Sequence, residues 1–304
     1  MKAFITGGGG FLGNHLTHYF QETGIEYFAP TRGEIDLTDF TKLKSLTDEF
    51  SHIFHLAAHT QAGDWCLTHP GEQWIVNQQI NTNLLSWWSG YQPNAKLISI
   101  GTSCSYSPNL PMVENNYLSG EPIGSLYTYA MTKRMLLQGQ RALSQQYGLK
   151  FLHVIPSTLY GPSYHLDGRQ MHFIFDLIRK ILLGKHLGEE VCLWGDGNQR
   201  RELIHVEDFI LNLMSLVSRD AEGEFNLGAG EDYPIRDFAE VISKVVNFDS
   251  KFIVYDEARY VGAKAKLLDI TKARAFLPEY ANRPLETGIK ETVNWFLHTR
   301  AFLK

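Results

Sequence analysis

Lys2-Ala3-Phe4-Ile5-Thr6-Gly7-Gly8-Gly9-Gly10-Phe11-Leu12-Gly13 decides the fold of this chain. A short apolar run of strand type leads into a glycine cluster, and an amphipathic run of helical type, Phe11 to Thr23, follows. Glycines at 7, 10 and 13 permit a tight turn, close backbone approach to a pyrophosphate, and close packing of the helix on the strand. The helix start then offers unpaired N–H groups to phosphates. A glycine motif alone is weak, but this one has its strand before it and its helix after it.

The alternation continues outward. Strands are predicted at Glu26–Ala29, Ile53–Ala57, Ala95–Ile100 and Phe151–Ile155, and helices at Phe40–Phe50, Gly71–Gly90 and Tyr129–Tyr147. Strands alternating with helices imply an α/β fold with a doubly wound parallel sheet of Rossmann type. After Pro162 the pattern loosens. A helix is expected near His172–Leu183, a short strand at Val191–Trp194, a return to the sheet at Leu203-Ile204, and helices at Val206–Ser218 and Ile235–Val246. The expected division is a dinucleotide-binding domain, residues 1–161 and about 203–228, and a smaller α+β substrate domain, residues about 162–202 and 229–304, built from excursions of the same chain.

Bulk properties narrow the function class. The 304 residues are 44% hydrophobic and 20% charged, with a net charge of −5. That balance gives no footprint for nucleic acid or an anionic membrane. Apolar runs fall well short of the roughly 20 residues that cross a bilayer. The strand pattern from Lys2 leaves no room for a signal peptide. Cys66, Cys104 and Cys192 have no metal-type spacing, so neither a disulfide framework nor a metal site is expected, and the cytoplasm is the expected location.

The end of the second strand selects the dinucleotide. Ala29-Pro30-Thr31-Arg32-Gly33 carries Arg32 and no acid before Glu34. An acid there suits the ribose hydroxyls of NAD, whereas a guanidinium pairs with the 2′-phosphate of NADP. NADP(H) is the expected cofactor. Tyr129-Ala130-Met131-Thr132-Lys133 puts a phenol and an ammonium four residues apart on one helical face. A phenol is too weak an acid unaided, and a neighbouring ammonium is expected to lower its pKa. Gly101-Thr102-Ser103-Cys104 follows the fourth strand, where ligands sit in such sheets, so Thr102 or Ser103 is placed to hold a substrate oxygen against Tyr129. The tryptophans Trp87-Trp88 read as core or subunit interface, and His59, His165 and His205 receive no role.

Together the glycine loop, Leu56-Ala57-Ala58 after a strand, the hydroxyl residue after the next strand and Tyr129-x-x-x-Lys133 resemble the extended short-chain dehydrogenase/reductase (NAD-dependent epimerase/dehydratase) family. Within it the chain is most similar to the epimerase/reductases of GDP-4-keto-6-deoxy sugars. Thr31–Glu34 and Asp36-Leu37-Thr38-Asp39 resemble that group's NADPH ribose-phosphate and adenine segment. Thr102–Tyr106, Pro156–Pro162, Trp194–Gly197, Arg201-Glu202, Asn226–Gly230 and Lys266–Asp269 also have counterparts.

The resemblance implies a nucleotide-sugar substrate and a homodimer. It implies Thr102, Tyr129 and Lys133 as the reductase triad, and Cys104 and His172 as the epimerase pair. Cofactor contacts would come from Gly7, Gly10, Phe11, Leu12, Gly13, Arg32, Asp36, Leu37, Leu56, Ala57, Ala58 and Pro156. Substrate contacts would come from Ser103, Thr158, Lys180, Trp194 and Arg201. Thr158 stands where that group carries Asn, Ala265 where it carries Arg, and Gly124–Thr128 where it carries Asn-Glu-Pro, so a deoxyheptose or another deoxyhexose fits as well. Two alternatives stay open: a C4 reductase without epimerase activity, and a non-catalytic dinucleotide-sensing protein on the same fold.

Overall fold

The computed structural model describes residues 1–61, 65–258 and 265–303. In chain order, the first elements are β1 (Lys2–Thr6), α1 (Phe11–Thr23), β2 (Glu26–Phe28), α2 (Phe40–Lys44) and β3 (His52–His55). Then come α3 (Trp65–Thr68), α4 (Pro70–Tyr91), β4 (Lys96–Ile100), α5 (Tyr127–Tyr147) and β5 (Phe151–Pro156). The second half contains β6 (Thr158–Tyr160), α6 (Phe173–Leu187), β7 (Val191–Trp194), β8 (Arg200–Arg201), β9 (Leu203–His205), α7 (Val206–Ser218) and β10 (Gly223–Leu227). The chain ends with β11 (Tyr233–Pro234), α8 (Ile235–Val246), β12 (Ile253–Asp256), α9 (Thr271–Phe276) and α10 (Leu285–Thr299).

The main sheet has the order β10-β5-β4-β3-β1-β2, and every pairing in it is parallel. Helices cover both faces, as parallel sheets require. On one face Leu16, Phe20 and α7's Phe209, Leu213 and Leu216 pack on Ile5, Phe54, Ile98 and Val154. On the other, Leu84, Trp87 and Trp88 of α4 join Leu137 of α5 over Phe4, Ile53 and Leu97. Trp87 and Trp88 are wholly buried, so they are core. A separate apolar cluster holds α6, α8 and α10 together through Ile178, Ile181, Phe238, Ile242, Val293 and Phe296.

Two expectations are corrected. Leu203-Ile204 does not rejoin the main sheet; as β9 it pairs with β6 in a separate two-stranded ribbon. The sixth main-sheet strand is β10, beside β5. The helix expected over Phe40–Phe50 stops at Lys44, with Asp39 capping its start and Phe50 turned into the core. Among the described residues, His205, Glu207 and Glu291 are near enough to share a metal ion. Arg283 already supplies a cation there, pairing with Glu207, Asp208 and Glu291.

Candidate active site

Strand order reverses at β1, because β2 lies on one side of it and β3 on the other. The carboxyl ends of β1 and β3 therefore open a crevice. The glycine loop lines it. Gly7 has φ +73°, and a Cβ there would come 2.8 Å from the Ala57 nitrogen; a Cβ on Gly13 would come 2.2 Å from the Gly7 carbonyl oxygen. Gly9 has open space around it. α1 begins after Gly10 with no side-chain cap, so its first N–H groups are left to an anion. This cradle fits a dinucleotide pyrophosphate, with the backbone of Leu56 and Ala57 close against Gly7. Phe11 packs edge-on against Tyr164 and Phe175, while Leu12 packs against the sheet core.

Glu34 closes the turn after β2 by accepting hydrogen bonds from the Thr31 N–H and hydroxyl at 2.7 and 2.8 Å. Arg32 projects from that turn, 74% exposed, with Nε 3.4 Å from Asp36 Oδ2. Leu37 is buried in the core, so only its backbone remains to meet a nucleotide.

The triad positions come together at the ends of β4 and α5. Thr102 Oγ1 accepts a hydrogen bond from the Cys104 N–H at 3.3 Å, and its hydroxyl also acts on the Cys104 thiol. The buried Lys133 donates through Nζ to the Ile100 carbonyl at 2.8 Å, and burial lowers its pKa to about 8. Here the structure departs from the expectation for Tyr129. Burial raises the Tyr129 phenol, and the Cys104 thiolate beside it adds to the rise. The phenol is kept protonated chiefly by its burial, while the Lys133 ammonium donates to the strand-end carbonyl of Ile100.

Cys104 is half-buried in the short turn after β4. Lys266, 162 residues away in sequence, donates to its Sγ at 3.3 Å. Burial pushes this thiol up, but Lys266, the Thr102 hydroxyl and Arg201 outweigh it and the net shift is downward. His172 sits at the start of α6, where its N–H donates to the Tyr164 hydroxyl at 3.4 Å. The residue as a whole is exposed, and the Lys266 and Arg201 cations act on its ring. Burial, then Lys266 and Arg201, lowers its pKa to about 4, so the imidazole of the protein alone is neutral at pH 7 rather than poised near it.

Ser103, Thr158, Arg201, Glu202 and Lys266 line one small polar cavity. Trp194 is half-exposed at the end of β7, with the Lys180 ammonium 5.8 Å from its ring centre and Asp176 2.9 Å from the same ammonium. Pro156 closes β5 beside Leu227. Sequence reasoning assigned no role to Lys266 or Glu202, because nothing in local spacing reveals a contact made across such distances in sequence.

Residues 3–228 match the NAD dependent epimerase/dehydratase family. The chain is 29% identical to the GDP-L-colitose synthase of Yersinia pseudotuberculosis, covering 99% of both chains. It is 30% identical to GDP-L-fucose synthase 1 of Arabidopsis thaliana over 97% of this chain and 93% of that one. The structure of a GDP-L-fucose synthetase from Naegleria fowleri bound to NADP superposes with a TM-score of 0.88 at 25% identity, covering 98% of this chain and 93% of the other. With a glycine cradle at the switch point and Tyr129 and Lys133 beside the neighbouring strand end, the chain belongs to the NAD dependent epimerase/dehydratase family.

Proposed function

We propose that the chain is an NADP(H)-dependent epimerase/reductase of a GDP-linked 4-keto-6-deoxy sugar, with Cys104 and His172 as its proton-transfer pair. When bound, NADPH supplies the hydride that reduces C4. Tyr129 delivers the proton to the ketone oxygen, and Thr102 holds that oxygen. Lys133 anchors the cofactor ribose beside them. Gly7, Gly10 and Gly13 cradle the pyrophosphate, and Arg32 takes the 2′-phosphate. Trp194 stacks on the base while Arg201 and Lys180 take the diphosphate. The division into dinucleotide and sugar domains, a homodimer and a cytoplasmic location belong to the same reading. No helix of the described residues is long and apolar enough to cross a membrane.

The observation that carries the epimerase half is the Lys266–Cys104 contact. A carbon next to a ketone is acidic enough for a thiolate base if the enolate oxygen is held, and the Lys266 ammonium lowers the thiol's pKa and so favours its thiolate. His172 comes from a different segment and is the partner for the opposite face of the ring. An anionic diphosphate taken up by Arg201 offsets one of the cations that hold His172 neutral, and so moves it toward the range where it serves as an acid.

Incubation of the 4-keto sugar nucleotide in D₂O with enzyme and no NADPH tests this. Deuterium is expected beside the ketone with the wild type, and Cys104→Ser slows its entry severely while still reducing a substrate of the final configuration. Reduction of C4 without deuterium at the neighbouring carbons overturns the epimerase half and leaves a plain C4 reductase. That second reading draws on Thr158 in the cavity wall, where GDP-sugar epimerase/reductases carry Asn.

A further inference from the structure

The Lys266 ammonium reaches the Cys104 sulfur at 3.3 Å and lowers its thiol's pKa, and the placement of that lysine needs explaining. Residues 265–270 belong to no helix or strand. Within that stretch Lys266 reaches Cys104, and two residues later the Leu268 N–H donates to Glu202 Oε2 at 2.9 Å. The other carboxylate oxygen, Oε1, accepts from the Gly230 N–H at 2.8 Å. Glu202 is 3% exposed, and a Cβ on Gly228 would come 2.2 Å from Oε1, so the loop after β10 closes tightly over the carboxylate.

A buried carboxylate is costly unless its lone pairs are met, and here backbone N–H groups from two separate segments meet them. Glu202 also directly follows Arg201, the second cation acting on both Cys104 and His172. One side chain thus ties together the two segments that bring positive charge to the proton-transfer groups.

We propose that Glu202 is a positioning residue, whose carboxylate bridges the Leu268 and Gly230 N–H groups and so holds the Lys266 ammonium against the Cys104 sulfur. It touches no reacting atom. The groups that face Cys104 are Lys266 and Arg201 as cations, Tyr117 and Tyr129 as phenols, and the Thr102 hydroxyl. Of these, Lys266 lies in the stretch 265–270, which has neither helix nor strand, and the backbone contact nearest to it in that stretch is the Leu268 N–H to Glu202. The inference rests on the reading of Cys104 as a proton-transfer residue only for its functional meaning; the thiol's ionisation is measured without substrate.

The test uses the full-length protein and follows alkylation of Cys104 by iodoacetamide from pH 5 to 10, with the labelled peptide resolved by mass spectrometry from those of Cys66 and Cys192. Glu202→Gln retains size but presents an NH₂ where one backbone N–H needs an acceptor. An opposite charge within a few ångströms is worth about 1–3 pKa units, so loosening Lys266 is expected to slow labelling at pH 7 roughly tenfold and move the profile to higher pH. Lys266→Met is expected to do the same, and the double variant no more than either alone. If Glu202→Gln does not accumulate in folded form, Glu202→Asp replaces it, since the shorter arm keeps the charge but cannot span both donors.

A purely structural Glu202 lowers thermal stability and leaves the Cys104 profile where it is. That result overturns the proposal, and so does a full further shift when Glu202→Gln is added to Lys266→Met. Failure of the D₂O exchange with an intact labelling shift would instead count against the epimerase reading alone.

Discussion

Arg32 and Tyr129 are the residues at which chemistry is most separable from fold. Arg32 is largely exposed, and its one close partner is Asp36 at the edge of hydrogen-bonding range. Nothing in the core depends on it. A charge-assisted contact to a phosphate contributes about 1.5–3 kcal/mol, so Arg32→Ala is expected to weaken NADPH by at least roughly tenfold and leave NADH almost unchanged. Fluorescence titration with both cofactors checks it, and wild-type protein that prefers NADH would defeat the assignment. Tyr129 is different because burial holds its phenol protonated. The protonated form is what reduction of a ketone needs from a general acid. Tyr129→Phe keeps the ring and removes the proton, and turnover is expected to fall by roughly 10²–10⁴ with NADPH affinity nearly intact. Reduction at the wild-type rate would mean another group supplies the proton.

At the scale of elements, α4 and α5 pack against one another and against the sheet, yet they leave Trp74, Ile75, Tyr91, Met135 and Tyr147 substantially exposed. Apolar side chains on two adjacent helices suit an isologous contact in which each subunit contributes both helices. Ile75→Glu, at a position 58% exposed, is expected to yield a folded monomer where light scattering of the wild type gives a dimer. A wild-type monomer at micromolar concentration contradicts the reading.

These helices were legible from sequence because they are long runs set between strand-type segments, α5 with the clearer apolar face, and β1, α1 and the glycine loop because strand, turn and helix chemistry agree within a dozen residues. The later elements were not. β9 has the apolar character of a main-sheet strand, and only its pairing with β6 tells it apart. β10, with polar Glu224 and Asn226 between apolar residues, becomes a sheet strand because Asn226 is met by Glu114, Tyr106 and the Met112 and Asp269 carbonyls. The same limit hid Lys266: the motif positions Tyr129, Lys133 and Cys104 announce themselves locally, whereas the cation that tunes Cys104 arrives from another segment.

The whole molecule carries buried titratable groups that oppose one another as pH changes. In one relay the Ala57 N–H donates to the Thr6 hydroxyl, and that hydroxyl donates to His55 Nδ1. His55 Nε2–H then donates to Asn81, which donates to the Thr132 carbonyl. This chain uses up the neutral imidazole's one donor and one acceptor. Burial, reinforced by Lys133, lowers His55 and His153 to about 3, below the ordinary 6.5. Each therefore stabilises the fold above pH 6.5 and loses that stabilisation progressively as pH falls toward 3, because the unfolded chain takes up the proton first. Glu202 acts with the opposite sign. Burial raises it to about 7 from 4.5, so between those values the folded chain holds a proton that the unfolded chain has released. Its contribution to stability grows as pH falls from 7 to 4.5, offsetting about one histidine. Between pH 6.5 and 5 the slope from each uncompensated histidine rises from about 0.7 to about 1.3 kcal/mol per pH unit as the unfolded imidazole fills with protons. Glu202→Gln removes the compensation without touching either histidine. Urea unfolding at pH 5.0, 5.75 and 6.5 is expected to show a steeper fall in stability for the variant than for wild type, by about 1 kcal/mol per pH unit. Equal slopes would mean that Glu202 is ionised throughout this window and its carboxylate bridge is indifferent to pH. A shallower slope in the variant would reverse the sign of its linkage.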